Sequence, residues 1–344
     1  MYNNQIKIGK PFKNHKLDNL ISFLNANDLT YDVNIEYSII IEDFEGNIIA
    51  TGSLEKNIIK CVAVDKTHRN ENLTSTIITH LFNHSIKNGN KKLFLFTKLK
   101  NELQFKNLGF YTIEKTDQIV LMENTKNGLS SYLDSIKQES LSFYTDKVKK
   151  IGCIIANCNP FTNGHLYLIE TAAKECDLLH IFILSGDNNF FSENERYNLV
   201  KEGTKNISNI IIHHAKEYIL SPLTFPTYFI KDKNQTTNIN CKLDINLFLN
   251  KLVPLLKINY RFVGTEPKDI VTNSYNNELI KGLANSNVHL IIVERKKLSF
   301  DVISATKVRF LIDNKDFKAI IPYVPKTTYD FIISKFDKTS SSKK

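Results

Sequence analysis

The chain is poor in glycine, with 12 in 344 residues against a usual share of ~7%. Turns that need left-handed backbone are therefore expected to use asparagine, and each glycine inside a motif carries extra weight. Five cysteines (Cys61, Cys153, Cys158, Cys176, Cys241) are scattered, odd in number and without a C-x-x-C pair. That argues against a disulfide framework and a cysteine zinc site, and it favours a reducing cytoplasm. No apolar run approaches the ~20 residues of a membrane span. The opening MYNNQIKIGKPF has no apolar signal core, so no membrane partner is expected. There is no arginine-rich stripe and no basic run interleaved with aromatics, which argues against nucleic acid. No repeat of fixed period occurs.

What is present is ordinary globular material: 42% hydrophobic and 24% charged residues, enough chain for two cored domains. The formal charge is +9. A partner rich in phosphate or carboxylate answers it, and so does a lysine-rich composition that also favours Asn and Ile.

Residues 1–124 read as mixed strand and helix. IEYSIIIED and NIIATGSLEKNIIKCVAV are expected as consecutive antiparallel strands with a turn at Glu45-Gly46-Asn47. Leu73 to Lys87 has apolar residues at helical spacing. KLFLFT is a buried strand, Glu102 to Leu108 a short helix, and IEKTDQIVLME a last strand. Residues 125–149 are a linker with a polar helix from about Ser130. Residues 150–338 alternate strand and helix, with strands at Gly152–Asn157, Leu179–Leu184, Ile210–His213, Arg261–Val263 and Val288–Val293. That is the pattern of a doubly wound parallel sheet, which binds ligands at the carboxyl ends of its strands. Residues 339–344 read as a solvated, disordered tail.

Two motifs fall at such ends. The first, Asn159-Pro160-Phe161-Thr162-x-Gly164-His165, leads from a buried strand into a helix. Gly164 lets backbone come close to a ligand. The helix start offers free N–H groups and a positive dipole end to an anion, and His165 and Thr162 can add hydrogen bonds. A helix N-terminus with a satisfied histidine answers TxGH alone equally well. The second, Ile303-Ser304-Ala305-Thr306-Lys307-Val308-Arg309, opens a late helix that Ser304 can cap. Ser304, Thr306, Lys307 and Arg309 can meet phosphate oxygens. Both junctions belong to one sheet, so both can converge on one triphosphate and stabilise in-line attack at its α-phosphate.

These residues resemble the nucleotidylyltransferase superfamily, with its (T/H)xGH and ISxTxxR-type signatures. Ser192-Glu193-Asn194-Glu195-Arg196 fits the same pattern, with an arginine near the acceptor pocket; it also reads as a plain capping box. SPLTFPTYFIKD (221–232), RFVGTEP (261–267) and VTNSYNNELI (271–280) are similar to the citrate (pro-3S)-lyase ligase family, and that likeness covers essentially the whole chain. The resemblance implies an acid–thiol ligase. Such an enzyme uses ATP, with Mg²⁺ shared by the phosphates, to activate acetate as acetyl-adenylate. It then acetylates the thiol of a CoA-like prosthetic group on the acyl carrier subunit of citrate lyase, releasing AMP and pyrophosphate. His165, Thr162 and Arg309 would be the catalytic residues. Asn159, Pro160, Phe161, Gly164, Ser304, Thr306 and Lys307 would bind ATP, and Arg196, Thr224 and Phe225 would be the acceptor pocket.

The first domain resembles a GNAT-like α+β acetyltransferase module. Its loop Arg69-Asn70-Glu71-Asn72-Leu73-Thr74 stands where that family has a glycine-rich pyrophosphate loop, with Asn72 and Thr74 replacing small residues. Arg69, Asn70, Asn72 and Thr74 are the candidate contacts for the carrier's CoA-like arm. The residues leave two other functions open: a metabolite adenylyltransferase of the nicotinamide mononucleotide or phosphopantetheine type, and a non-catalytic CoA- or carrier-binding module.

Overall fold

A computed structural model of the chain describes residues 5–185, 190–219, 241–265, 270–298 and 301–337. They divide into two compact units. One takes in residues up to 130 together with 241–246; the other takes in 131–219 and residues from 247 on.

The first unit is built on a seven-stranded sheet. Its strands are β1 (Gln5–Gly9), β2 (Tyr37–Glu42), β3 (Ile48–Glu55), β4 (Ile58–Val64), β5 (Phe94–Lys98), β6 (Tyr111–Lys115) and β7 (Ile119–Glu123), in the order β1-β2-β3-β4-β5-β7-β6. Helices α1 (His15–Ala26), α2 (Leu73–Lys87) and α3 (Glu102–Asn107) complete it. Ile77 and Leu81 of α2 are fully buried against the sheet. They lie over Gly52, where a Cβ would come within 2.3 Å of Ile77. All pairings are antiparallel except β4 with β5, and those two pair only at Ile58–Phe94 and Ile59–Leu95. Beyond that point they part and leave a cleft. This is the α+β arrangement expected of a GNAT-like module.

One expectation is corrected here. IEKTDQIVLME is not a single strand but the hairpin β6–β7. Thr116 turns the chain by accepting the N–H groups of Gln118 and Ile119 on its hydroxyl, at 3.2 and 3.1 Å. Asparagine takes a left-handed turn at Asn72, with φ 56° at the start of α2, but among the described residues lysine has positive φ more often than asparagine, at Lys56, Lys216, Lys257 and Lys315.

The linker helix α4 (Gly128–Ser140) leads to the second unit. There β8 (Ile151–Ala156), β9 (Leu178–Ile183), β10 (Ile210–His214), β11 (Tyr260–Gly264) and β12 (His289–Val293) form a parallel sheet in the order β10-β9-β8-β11-β12. All five expected strands are present, and the chain reverses direction across the sheet between β8 and β11. Helices α5 (Asn163–Glu175) and α6 (Glu193–Gly203) follow β8 and β9. Residues 241–247 are helical (α7), and α8 (Val253–Leu256) and α9 (Ile270–Leu283) flank β11. A two-stranded ribbon, β13 (Lys297–Leu298) and β14 (Asp301–Val302), precedes α10 (Ala305–Asp313), α11 (Phe317–Ile320) and α12 (Lys326–Phe336). The core joins Ile154, Phe161, Ile181, Phe191, Phe262, Val308 and Ile332. Residues 241–246 group with the first unit, where Asn246 donates to the Lys115 carbonyl at 3.1 Å.

Candidate active site

The first motif lies where β8 meets α5. Thr162 caps the helix: its hydroxyl accepts the His165 N–H at 3.4 Å. In return, the Thr162 N–H donates to His165 Nδ1 at 3.1 Å, and the threonine hydroxyl lies 2.9 Å from the same nitrogen. A backbone N–H can only donate, so Nδ1 is the acceptor and the neutral ring carries its proton on Nε2. Burial, and secondarily the Arg295 guanidinium, pull the His165 pKa down to about 4. At neutral pH the ring is an uncharged donor through Nε2. Phe161 lies nearly parallel to it, with centroids 6.1 Å apart.

The second motif reaches the first. Ser304 caps α10 by accepting the Lys307 N–H at 3.2 Å. Arg309 donates to the Asn159 carbonyl at 2.6 Å and to the Thr306 hydroxyl at 3.0 Å. A Cβ on Gly164 would stand 3.3 Å from the Ile303 carbonyl oxygen, so the α5 start and the α10 approach touch where glycine leaves room. Asn163 donates to the Pro322 carbonyl at 3.0 Å. Asn159, Thr162, Gly164, His165, Ser304, Thr306, Lys307 and Arg309 therefore belong to one neighbourhood. Two helix N-termini, a neutral histidine donor and a guanidinium are a donor set for an anion, and the Lys307 ammonium lies over the Phe310 ring, 5.5 Å from its centroid.

Two expected residues are placed otherwise. The Phe161 side chain is wholly buried and packs on Gly203, where a Cβ would fall 2.4 Å from its ring; it supports the loop from the core. Arg196 is also wholly buried. It donates to the Phe191 carbonyl at 3.2 Å and, at 2.7 Å each, to the Asn157 carbonyl, the Asn157 side chain and the Leu184 carbonyl. It ties the carboxyl ends of β8 and β9 together. The capping box is real, with Ser192 and Glu195 bonded reciprocally. Thr224 and Phe225 lie outside the described residues, as do SPLTFPTYFIKD and Glu266-Pro267.

Arg295 was not singled out by the sequence. It follows the end of β12, its backbone N–H donates to Thr265 at 3.1 Å, and its charge bears on His165. Its place at the carboxyl edge of a parallel strand was the available signal. In the first unit, Arg69 and Thr74 line a cavity of about 730 Å³ beside the β4–β5 split, with Lys66, Lys98 and Lys100. Thr74 accepts from Gln104 at 3.1 Å. Asn70 and Asn72 are exposed on the loop leading into α2.

A family model described as the citrate lyase ligase C-terminal domain matches residues 151–332, a span that contains both motifs. The chain is 37% identical over 329 residues to the citrate (pro-3S)-lyase ligase of Escherichia coli strain K12, covering 94% of this chain and 92% of that protein. The chain belongs to the citrate lyase ligase family. It is similar, at 36% identity over 327 residues, to the family's Haemophilus influenzae protein, covering 92% of this chain and 95% of that one. The likeness to the ligase family thus takes in the cleft-bearing first unit as well as the parallel sheet. No described helix is long and apolar enough to cross a membrane.

Proposed function

We propose that the chain is an ATP-dependent acid–thiol ligase that acetylates the CoA-like prosthetic-group thiol on the acyl carrier subunit of citrate lyase. The observation that carries the phosphate site is the Arg309–Asn159 hydrogen bond, which joins the two motifs at the α5 N-terminus. Acetate oxygen attacks the α-phosphate of ATP, and pyrophosphate leaves. His165 Nε2–H, Lys307, the Arg309 donors not spent on Asn159 and Thr306, and the free N–H groups of α5 and α10 meet the charge on the departing oxygens. Thr162 acts by holding His165 in the donating tautomer. Asn159 and Pro160 shape the loop. Mg²⁺ enters with the triphosphate; among the described residues no group of three His, Cys, Asp or Glu side chains is placed to hold a metal. The carrier thiol then displaces AMP from the acetyl-adenylate. The cationic cavity of the first unit, with Arg69 and Thr74 on its wall, is proposed to hold the CoA-like arm.

Pyrophosphate–ATP exchange tests this. Exchange that requires acetate is the expected result. Exchange that instead requires nicotinamide mononucleotide or phosphopantetheine makes the chain a metabolite adenylyltransferase. No exchange with any of these leaves a carrier-binding module.

A further inference from the structure

Two histidines stand at the carboxyl edge of the parallel sheet, and their hydrogen bonds orient them in opposite senses. In His165 the Nδ1 accepts, so the ring presents N–H at Nε2. In His214 the Nδ1 lies 2.9 Å from Glu193 Oε1. A carboxylate only accepts, so this Nδ1 donates, and the neutral ring presents a lone pair at Nε2. The His214 side chain is 34% exposed, and among the described residues nothing bonds its Nε2. The ring is held on a second side by stacking on Tyr197, with centroids 4.1 Å apart and planes at 10°. The Tyr197 hydroxyl is itself anchored on the Ile212 carbonyl at 3.3 Å. A carboxylate-backed imidazole with an open acceptor nitrogen is the arrangement of a general base.

Its place in the sheet is set by register. His214 is level with Ile183 of β9, and Ile183 is level with Ala156, the last residue of β8. The loop that carries His165 starts at the next residue. Two strand spacings, about 10 Å, separate the His214 backbone from the start of that loop. His214 lies on the β9–β10 side of β8.

We propose that His214 is the general base of the second half-reaction; the proposal rests on the ligase reading above. The carrier thiol gives its proton to His214 Nε2. The sulfur attacks the acetyl carbonyl carbon, the C–S bond forms, and the bond from that carbon to the adenylate oxygen breaks. AMP leaves with the bond's electron pair. The imidazolium is balanced by Glu193. Glu139 of α4 also feels the His214 charge, as it does that of Lys216. Free thiols ionise near pH ~8.5, so at neutral pH this step gains from a positioned base.

The test uses the full chain and the holo acyl carrier subunit, and it reads the two half-reactions separately. In His214→Asn, single-turnover acetyl transfer to the carrier falls by roughly 10²–10⁴-fold, while acetate-dependent pyrophosphate exchange stays within about threefold, as for a group outside the first step. Added imidazole restores part of the transfer rate in His214→Ala, and Glu193→Gln gives a smaller loss. Transfer within tenfold of wild type, or a parallel fall of exchange and transfer, overturns the assignment. Wild-type protein without acetate-dependent exchange overturns the ligase reading itself, a result read before any variant is made.

Discussion

The Arg309 guanidinium donates to the Asn159 carbonyl at 2.6 Å, across 150 residues of chain. One side chain thereby fixes the loop of the first phosphate motif to the helix of the second. The remaining N–H groups of the same guanidinium point from a position set by that bond, so a structural role and the proposed phosphate-binding role fall to one residue.

Arg309→Lys keeps the charge and loses the fork that spans Asn159 and Thr306. Acetate-dependent exchange is expected to fall by roughly 10²–10³-fold, with circular dichroism unchanged. An exchange rate within threefold of wild type would remove Arg309 from the site.

His165→Ala is expected to abolish exchange and leave the fold intact, since only the cap of α5 is weakened, at about 1 kcal/mol. The sign of the pH effect follows from the depressed pKa of about 4. Above about 6.5 the ring is neutral in folded and unfolded chains alike. As pH falls from there toward 4, the unfolded chain takes up the proton first, so this group's stabilisation is progressively lost. Exchange therefore holds near its neutral-pH level down to about pH 5 as far as His165 is concerned. An activity that required protonated His165, rising toward pH 5, would contradict the donor tautomer. Arg295→Ala removes a nearby positive charge and is expected to raise the His165 pKa, which a nuclear magnetic resonance titration of the ring can follow.

The two phosphate motifs were legible because strand-to-helix junctions carry their own punctuation: a proline, a glycine and a capping hydroxyl within a few residues. The five parallel strands were legible as short apolar runs between helical patterns. Arg196 was not. Local pattern shows an arginine on the first turns of a capped helix, and nothing local says that Asn157 and Leu184 end their strands within its reach. Phe161 was misplaced for the same reason, because Gly203, which makes room for its ring, is far along the chain. The β6–β7 turn escaped because Thr116-Asp117-Gln118 has neither glycine nor proline. His214 fell just past the strand expected at Ile210–His213; only the position of Glu193 gives it a direction.

Arg196→Lys tests the clamp. A lysine cannot reach the carbonyls of Phe191, Asn157 and Leu184 together, and the ones it misses stay buried without a donor. The expected loss is about 3 kcal/mol or more, read as a lowered urea midpoint at unchanged m-value. A midpoint equal to wild type would mean that these carbonyls find other donors.

A final prediction concerns a buried chain of polar side chains that anchors α4 to the sheet. Tyr144 donates its hydroxyl to the Leu256 carbonyl at 2.6 Å, so its oxygen accepts from His180 Nε2 at 3.1 Å. His180 Nδ1 then accepts from His213 Nε2 at 2.9 Å, and His213 Nδ1 faces Glu139 at 2.8 Å. Every link is satisfied when His213 donates from both nitrogens to a neutral His180 and an ionised Glu139. The neighbours agree: burial, then the His213 charge, pushes the His180 pKa down to about 3, and the His213 hydrogen bond lowers that of Glu139. A carboxylate lowered in the folded state stabilises it above the unfolded pKa, near ~4.3, and ceases to do so as pH falls through the folded value. Glu139→Gln is therefore expected to melt below wild type at pH 7, by about 1 kcal/mol or less because the carboxylate is half exposed. The gap should close as pH drops below about 4. Thermal melts from pH 3 to 8 decide it: a gap that stays constant with pH would show that Glu139 contributes by packing and not by charge.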